Sequence, residues 1–196
     1  MENVISLEIV NRLNIKKGIL IDTIFILMGT IFVAISSQIS YYLPFSPIPV
    51  TGQTLAVLLT GTILGSRRGG LSLALYVLEG VLGLPVFAGG TSGIPVLIGP
   101  TFGYLIGFIF AGVVVGLLAE KGYDHRWFSM AFSFFVGQLI IYFFGALWLT
   151  SFVGIKQIFI LGVAPFLFGD FIKMGMAIIL LPSFWKLVKK TETMKW

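Results

Sequence analysis

The order of apolar and polar positions along the chain divides it into six predicted helical segments, each bounded by charges, prolines or glycines. Residues 1–17 interleave Val4, Ile5, Leu7, Ile9, Val10, Leu13 and Ile15 with Glu2, Glu8, Arg12, Lys16 and Lys17, which predicts a short amphipathic segment at a membrane surface. An apolar run over about residues 18–42 follows. A basic start before an apolar run resembles a secretory signal, but this run exceeds the usual 7–15 or so residues and further runs succeed it, so it is read as a retained first span. Pro44, Pro47 and Pro49 forbid helix and predict a stiff extended loop. The second span covers about residues 51–65, residues 66–70 form a tight basic turn, and the third span runs over about residues 71–83.

Between residues 84 and 100 the chain is dense in glycine and proline yet carries no charge, so no regular helix is expected there. Irregular backbone at membrane depth is tolerated only where protein buries it or it lines a cavity, so this loop is expected to fold back into the molecule. The fourth span, about residues 101–119, carries the pairs Gly103/Gly107 and Gly112/Gly116, a spacing that lets helices approach closely. Residues 121–126 are a polar loop with the single histidine, His125, expected to be solvated. The fifth span, about residues 127–149, has Trp127 and Trp148 at its ends as interfacial anchors. After a second loop at residues 154–162 with Lys156, the last span covers about residues 164–187 and a cytoplasmic tail residues 188–196. No repeat or linker interrupts residues 1–196, which read as one membrane domain.

Composition agrees with lipid as the solvent: 57% of the 196 residues are hydrophobic and 11% charged, against about 25% charged in soluble domains. The expected fold class is therefore an all-α integral membrane protein, a six-transmembrane-helix bundle. Charge adds orientation. Arg12, Lys16, Lys17, Arg67, Arg68, Lys121, Arg126, Lys186, Lys189, Lys190 and Lys195 fall on the face shared by the termini, while Lys156 alone falls opposite. That asymmetry places both termini in the cytoplasm, and the irregular loops face outward from a multi-pass cell-membrane protein. Zero cysteine and one histidine exclude disulfides, thiolate metal centres and a multi-histidine metal site. No phosphate-cradling Gly-x-x-x-x-Gly-Lys-Ser/Thr is present, so any ATP must be used by partners. No basic stripe with interleaved aromatics points to nucleic acid.

Asp170 and Lys173 lie three residues apart on one helical face of an apolar stretch. Lys173 precedes Lys186 by about 20 Å of helix, which sets it about 10 Å below the outer surface. An ionisable group at that depth costs roughly 2.5–3.5 kcal/mol and marks a functional site unless the two merely pair, or Lys173 reaches outward while Asp170 caps the helix. Gly89-Gly90-Thr91-Ser92-Gly93 is either a plain turn or a loop whose backbone N–H groups approach an anion. The same run spells an intramembrane serine-protease motif, but His125 is expected a membrane thickness away from Ser92, which excludes the enzyme. Gln53, a neutral donor and acceptor in an apolar setting, and Glu79 fall within reach of the same outer pocket. Phe87 and Tyr104 flank it.

Pro47-Ile48-Pro49-Val50-Thr51-Gly52-Gln53-Thr54, Gly83-Leu84-Pro85-Val86-Phe87-Ala88-Gly89-Gly90, Gly99-Pro100-Thr101-Phe102-Gly103-Tyr104-Leu105-Ile106-Gly107-Phe108 and Gly169-Asp170-Phe171-Ile172-Lys173 closely resemble motifs of the BioY family. These are biotin-specific substrate-binding (S) components of energy-coupling-factor transporters. The resemblance implies a six-helix bundle that captures biotin from outside and works with a transmembrane coupling protein and two cytoplasmic ATPases, itself carrying no cofactor. It implies ligand contacts at Gln53, Phe87, Gly89, Gly90, Thr91, Thr101, Tyr104, Asp170 and Lys173. One departure concerns docking to the coupling protein. Where the family fold shows Ala-x-x-x-Ala on the first helix, the nearest match here is Thr30-Ile31-Phe32-Val33-Ala34. A second function class, a self-sufficient secondary transporter with a proton relay through Asp170, Lys173 and Glu79, is compatible with the same residues.

Overall fold

The computed structural model describes residues 4–12 and 18–193; Lys16, Lys17 and Lys195 lie outside the described residues. A short helix α1 (Ile5–Arg12) leads into α2 (Ile19–Gln38), two-residue strands β1 (Ser40–Tyr41) and β2 (Val50–Thr51), and α3 (Gln53–Val81). Then come α4 (Ile94–Leu97), α5 (Phe102–Glu120), α6 (Trp127–Leu149), α7 (Ile158–Gly162) and α8 (Ala164–Thr193). Among the described residues, four stretches are long and apolar enough to cross a membrane: Ile19–Gln38, Phe102–Glu120, Trp127–Leu149 and Ile155–Ser183.

The second and third predicted spans are the two arms of α3, and they fold back on each other. Gln53 donates a hydrogen bond to the Tyr76 hydroxyl, whereas residues 23 positions apart in one straight helix would stand about 35 Å apart. The reversal occurs at Gly65, whose φ of 84° and ψ of 175° lie in a region essentially reserved for glycine. The expected turn at residues 66–70 is thus a correction: those residues are helical and one glycine makes the turn. The Glu120 carboxylate seals it by accepting from the Ser66 backbone N–H at 2.6 Å and the Ser66 hydroxyl at 2.7 Å, where the new helix presents unpaired N–H groups. Gly65→Ala should cost about 1–3 kcal/mol through that backbone region alone. Thermal unfolding of the detergent-solubilised variant measures it, and an unchanged midpoint would contradict the account.

α1 does not merely rest on a surface. Val4, Ile5 and Val10 are buried, and Val4 lies against Gly65 at the hairpin turn. Arg68 joins this end together, donating to Asp22 of α2 at 2.8 Å and to Ser6 of α1 at 3.3 Å. Thr30 and Ala34, the nearest match to the docking motif, face inward: Thr30 is 1% exposed and Ala34 packs against the core. The outward faces of α2 and α8 are apolar, with Ile24, Leu27, Met28 and Ile31 on one and Phe168, Phe171, Ile172 and Ile179 on the other.

Three further expectations change at the ends of the bundle. One helical turn, α4, survives within the glycine and proline loop because Pro95 sits in its first turn, where no backbone N–H is needed. The last helix continues through Pro182 to Thr193 instead of stopping near residue 187. His125 is not simply solvated: its ring packs on Trp185 of α8 at 4.3 Å between centroids.

Beside His125, Asp124 is buried and accepts from the Trp185 indole N–H at 2.6 Å, tying the loop between α5 and α6 to α8. Burial outweighs that bond and pushes the Asp124 carboxyl up from 3.8 to about 6. Between those two pH values the folded protein holds a proton that the unfolded chain has released, so this group's contribution to stability falls as pH rises through the window. Asp124→Asn, which keeps an acceptor for Trp185 without the charge, should raise stability at pH 7.5 by up to about 3 kcal/mol. The advantage should vanish below pH 4, and melting of both proteins across the range checks it.

Candidate functional site

The loops joining α2 to α3, α3 to α5, and α6 to α8 meet at the end of the bundle opposite the Gly65 turn. Prolines stiffen the first, and the pairing of Ser40 with Thr51 and Tyr41 with Val50 closes it. In the second only Phe87 and Ala88 are buried while most of the loop stays exposed, and side chains from α2, α3 and the first loop satisfy its carbonyls. Ser37 donates to Val86 O at 2.7 Å, Gln38 to Phe87 O at 3.3 Å, Tyr42 to Ala88 O at 3.0 Å and Tyr76 to Val86 O at 3.0 Å. Phe87 is thereby buried with its ring edge against Tyr76 at 5.5 Å.

Beneath these loops lies a cavity of about 480 Å³, within the range of sites that enclose small organic molecules. Pro47, Ile48, Phe87, Val96, Phe108, Ile141 and Phe166 make much of its wall apolar. Gln53, Thr91, Thr101, Tyr104, Asp170 and Lys173 also line it, so seven of the nine residues singled out in the sequence, counting Phe87, converge on one space. Gly89 and Gly90 do not line it. Both have positive φ and form the turn that carries Ala88 and Thr91 to the cavity, and Gly89 itself faces the Tyr42 ring.

The charged pair is embedded in a hydrogen-bonded cluster. Lys173 Nζ donates to Asp170 Oδ1 at 3.0 Å, to Thr51 O at 2.7 Å and to Thr54 Oγ1 at 2.8 Å, which uses all three of its protons. Asp170 Oδ1 also accepts from the Thr54 hydroxyl at 3.1 Å, while Oδ2 accepts from Gln138 Nε2 at 2.8 Å and from the Tyr142 hydroxyl. An ionised carboxylate has about four acceptor positions, and here all four are met. Asp170 is 9% exposed, so these bonds supply what water would otherwise give. Tyr104 is anchored differently, donating to Gly162 O at 2.7 Å. Ser92 lines the cavity while His125 packs on Trp185 at the far end of the bundle, so the histidine that the serine-protease motif needs is not beside that serine.

Thr51, Thr54, Gln138 and Tyr142 belong to the site and are absent from the residues chosen in the sequence. The first two stand beside Gln53 within a quoted motif. Gln138 and Tyr142 had a visible signal, two hydrogen-bonding groups four residues apart on a long apolar helix, which places them on one face. A second cavity of about 170 Å³ lies behind the cluster between α3, α6 and α8, and it shares Thr54, Gln138, Tyr142, Asp170 and Lys173 with the first.

Apolar helices around a half-open, largely apolar cavity with one polar cluster define a multi-pass membrane protein with room for a small molecule. The chain belongs to the BioY family, whose sequence model matches residues 9–190. It is 40% identical over 153 residues to the probable biotin transporter BioY of Pyrococcus horikoshii, covering 76% of this chain and 89% of that protein. To the biotin transporter BioY of Thermotoga maritima it is 40% identical over 152 residues, covering 77% and 88%. The fold matches the crystal structure of an S-component for biotin from an ECF-type ABC transporter with a TM-score of 0.74 and 25% sequence identity, covering 84% of this chain and 90% of that one.

Proposed function

We propose that this chain is a biotin-binding S component of an energy-coupling-factor transporter, capturing biotin from the outside in the cavity beneath the loops. The observation that carries this reading is the cavity itself: apolar walls closed on one side by the Asp170–Lys173 cluster. Biotin offers matching chemistry, an apolar thioether ring, a ureido group with two N–H donors and a carbonyl, and a carboxylate tail. Asp170 accepts a ureido N–H, Lys173 donates to the ureido oxygen or the carboxylate by giving up one of its three present acceptors, and Gln53, Phe87, Thr91, Thr101 and Tyr104 enclose the rings and tail. Gly89 and Gly90 set the loop that closes over the ligand. The names of the BioY relatives and of the matching S-component support biotin as the ligand.

The chain crosses the cell membrane six times, the two arms of α3 counting as two crossings, with both termini cytoplasmic. The charge asymmetry supports this orientation, because Arg68, Lys121, Arg126 and Lys186 belong to one end and Lys156 to the other. Transport then needs a transmembrane coupling protein and two ATPases, since this chain carries no phosphate-binding loop. The proton-relay alternative has less support, because Glu79 does not line the cavity. Equilibrium titration of the detergent-solubilised protein with biotin and several other vitamins tests the reading. Saturable binding of biotin alone is expected, and binding of another vitamin in its place would overturn it.

A further inference from the structure

We infer that Tyr142 is a specificity-determining residue: its hydroxyl holds the place on Asp170 Oδ2 that a ligand N–H must take. The inference rests on the biotin reading above. With Thr54, Lys173, Gln138 and Tyr142 all donating to it, Asp170 has no acceptor position left in this arrangement. A ligand donor can reach the carboxylate only by evicting one of the four.

The Oδ1 partners are the harder to evict. Lys173 and Thr54 are bonded to each other as well as to Asp170, and Lys173 also holds Thr51 O, so displacing either breaks a linked set. On Oδ2 the choice falls between two residues of α6. Evicting Gln138 would turn its amide onto the Tyr142 hydroxyl oxygen and bring no donor to its own side-chain oxygen. Evicting Tyr142 releases one hydroxyl, and the Gln138 side-chain oxygen, one helical turn away on the same face, is an acceptor for it. The ring also has somewhere to go, because Tyr142, like Gln138, borders both the main cavity and the second one of about 170 Å³.

Binding therefore exchanges the Tyr142 O–H bond to a carboxylate for a bond to a neutral amide oxygen, and the ligand N–H takes over the carboxylate. The exchange costs the difference between a charged and a neutral acceptor. A ligand that brings only a weakly donating hydroxyl replaces like with like and gains nothing, so Tyr142 sets a threshold that a ureido N–H passes. Removing the hydroxyl should accordingly tighten biotin binding, a sign opposite to that of an ordinary contact residue.

The test is titration of the full-length wild type, Tyr142→Phe and Tyr142→Met with biotin in detergent. Both variants are expected to bind about three- to tenfold more tightly, the value of one net hydrogen bond. Biotin should also produce a near-ultraviolet tyrosine difference band in the wild type that is reduced in both variants, the remainder coming from Tyr104 and Tyr42 along the same cavity. Unchanged or weaker binding in the variants, or an identical band in all three proteins, overturns the inference. If the wild type itself fails to bind biotin, the functional reading falls and this inference with it; if it binds and only the ratios are wrong, Tyr142 alone is misassigned.

Discussion

Replacing Asp170 with alanine is expected to lower biotin affinity by at least about 30-fold, or 2 kcal/mol, and by as much as about 5 kcal/mol. Three consequences follow from one deletion. The ligand N–H loses its charged acceptor. Lys173 keeps Thr51 O and Thr54 Oγ1 but no counter-charge, within a half-apolar wall where an unpaired cation is costly. Gln138 and Tyr142 lose their common acceptor and are left to pair with each other across one helical turn. Lys173→Met should lose a similar amount, because Asp170 then faces the cavity as an uncompensated anion. The two losses should not add in the double variant, since each single change already breaks the same cluster. Calorimetric titration of the four proteins forms the cycle, and binding of either single variant within about threefold of the wild type would remove the cluster from the site.

That cluster also shows how far the sequence carried. Asp170 and Lys173 were legible because charge is rare in this chain and their spacing puts them on one helix face. Their saturation was not, since it depends on residues from α3 and α6 that only the folded bundle brings within 3 Å or so. Spans at residues 101–119 and 127–149 follow directly from apolar length and match α5 and α6 closely. The α3 hairpin was located but its turn was misplaced, because Arg67 and Arg68 suggest a solvated loop while the decisive feature is the backbone of one glycine. Arg68 is instead consumed by Asp22 and Ser6. His125 differs for a related reason: a polar loop signals exposure, yet Trp185, inside the predicted last span, packs over it in the folded bundle.

The same close packing makes Gly61 a position where one side chain should do severe damage to the fold. The small-residue pairs on the fourth span divide their work between two neighbours: Gly103 and Gly107 lie against α6 at Phe144, Trp148 and Ile141, while Gly112 and Gly116 lie against the α3 hairpin. Gly61 meets Gly112 directly, and a methyl group there would stand 2.9 Å from the Gly112 Cα, inside the closest approach of real side chains. On its other side Gly61 touches Gly69, where the two arms of the hairpin come together. The obstructing atoms are backbone, so no rotamer change relieves them, and α3 would have to separate from α5 and from itself. Without a hydrophobic drive between helices in lipid, such backbone contact is a main source of association. Gly61→Leu is therefore expected to cost more than about 3 kcal/mol, at or beyond the upper end of overpacking effects, and to leave little folded protein in detergent. Gly154→Leu, at a site where an added Cβ meets nothing within 4 Å, is the matched comparison and should melt near the wild type. Equal melting of the two variants would mean that α3 and α5 are not held at this distance.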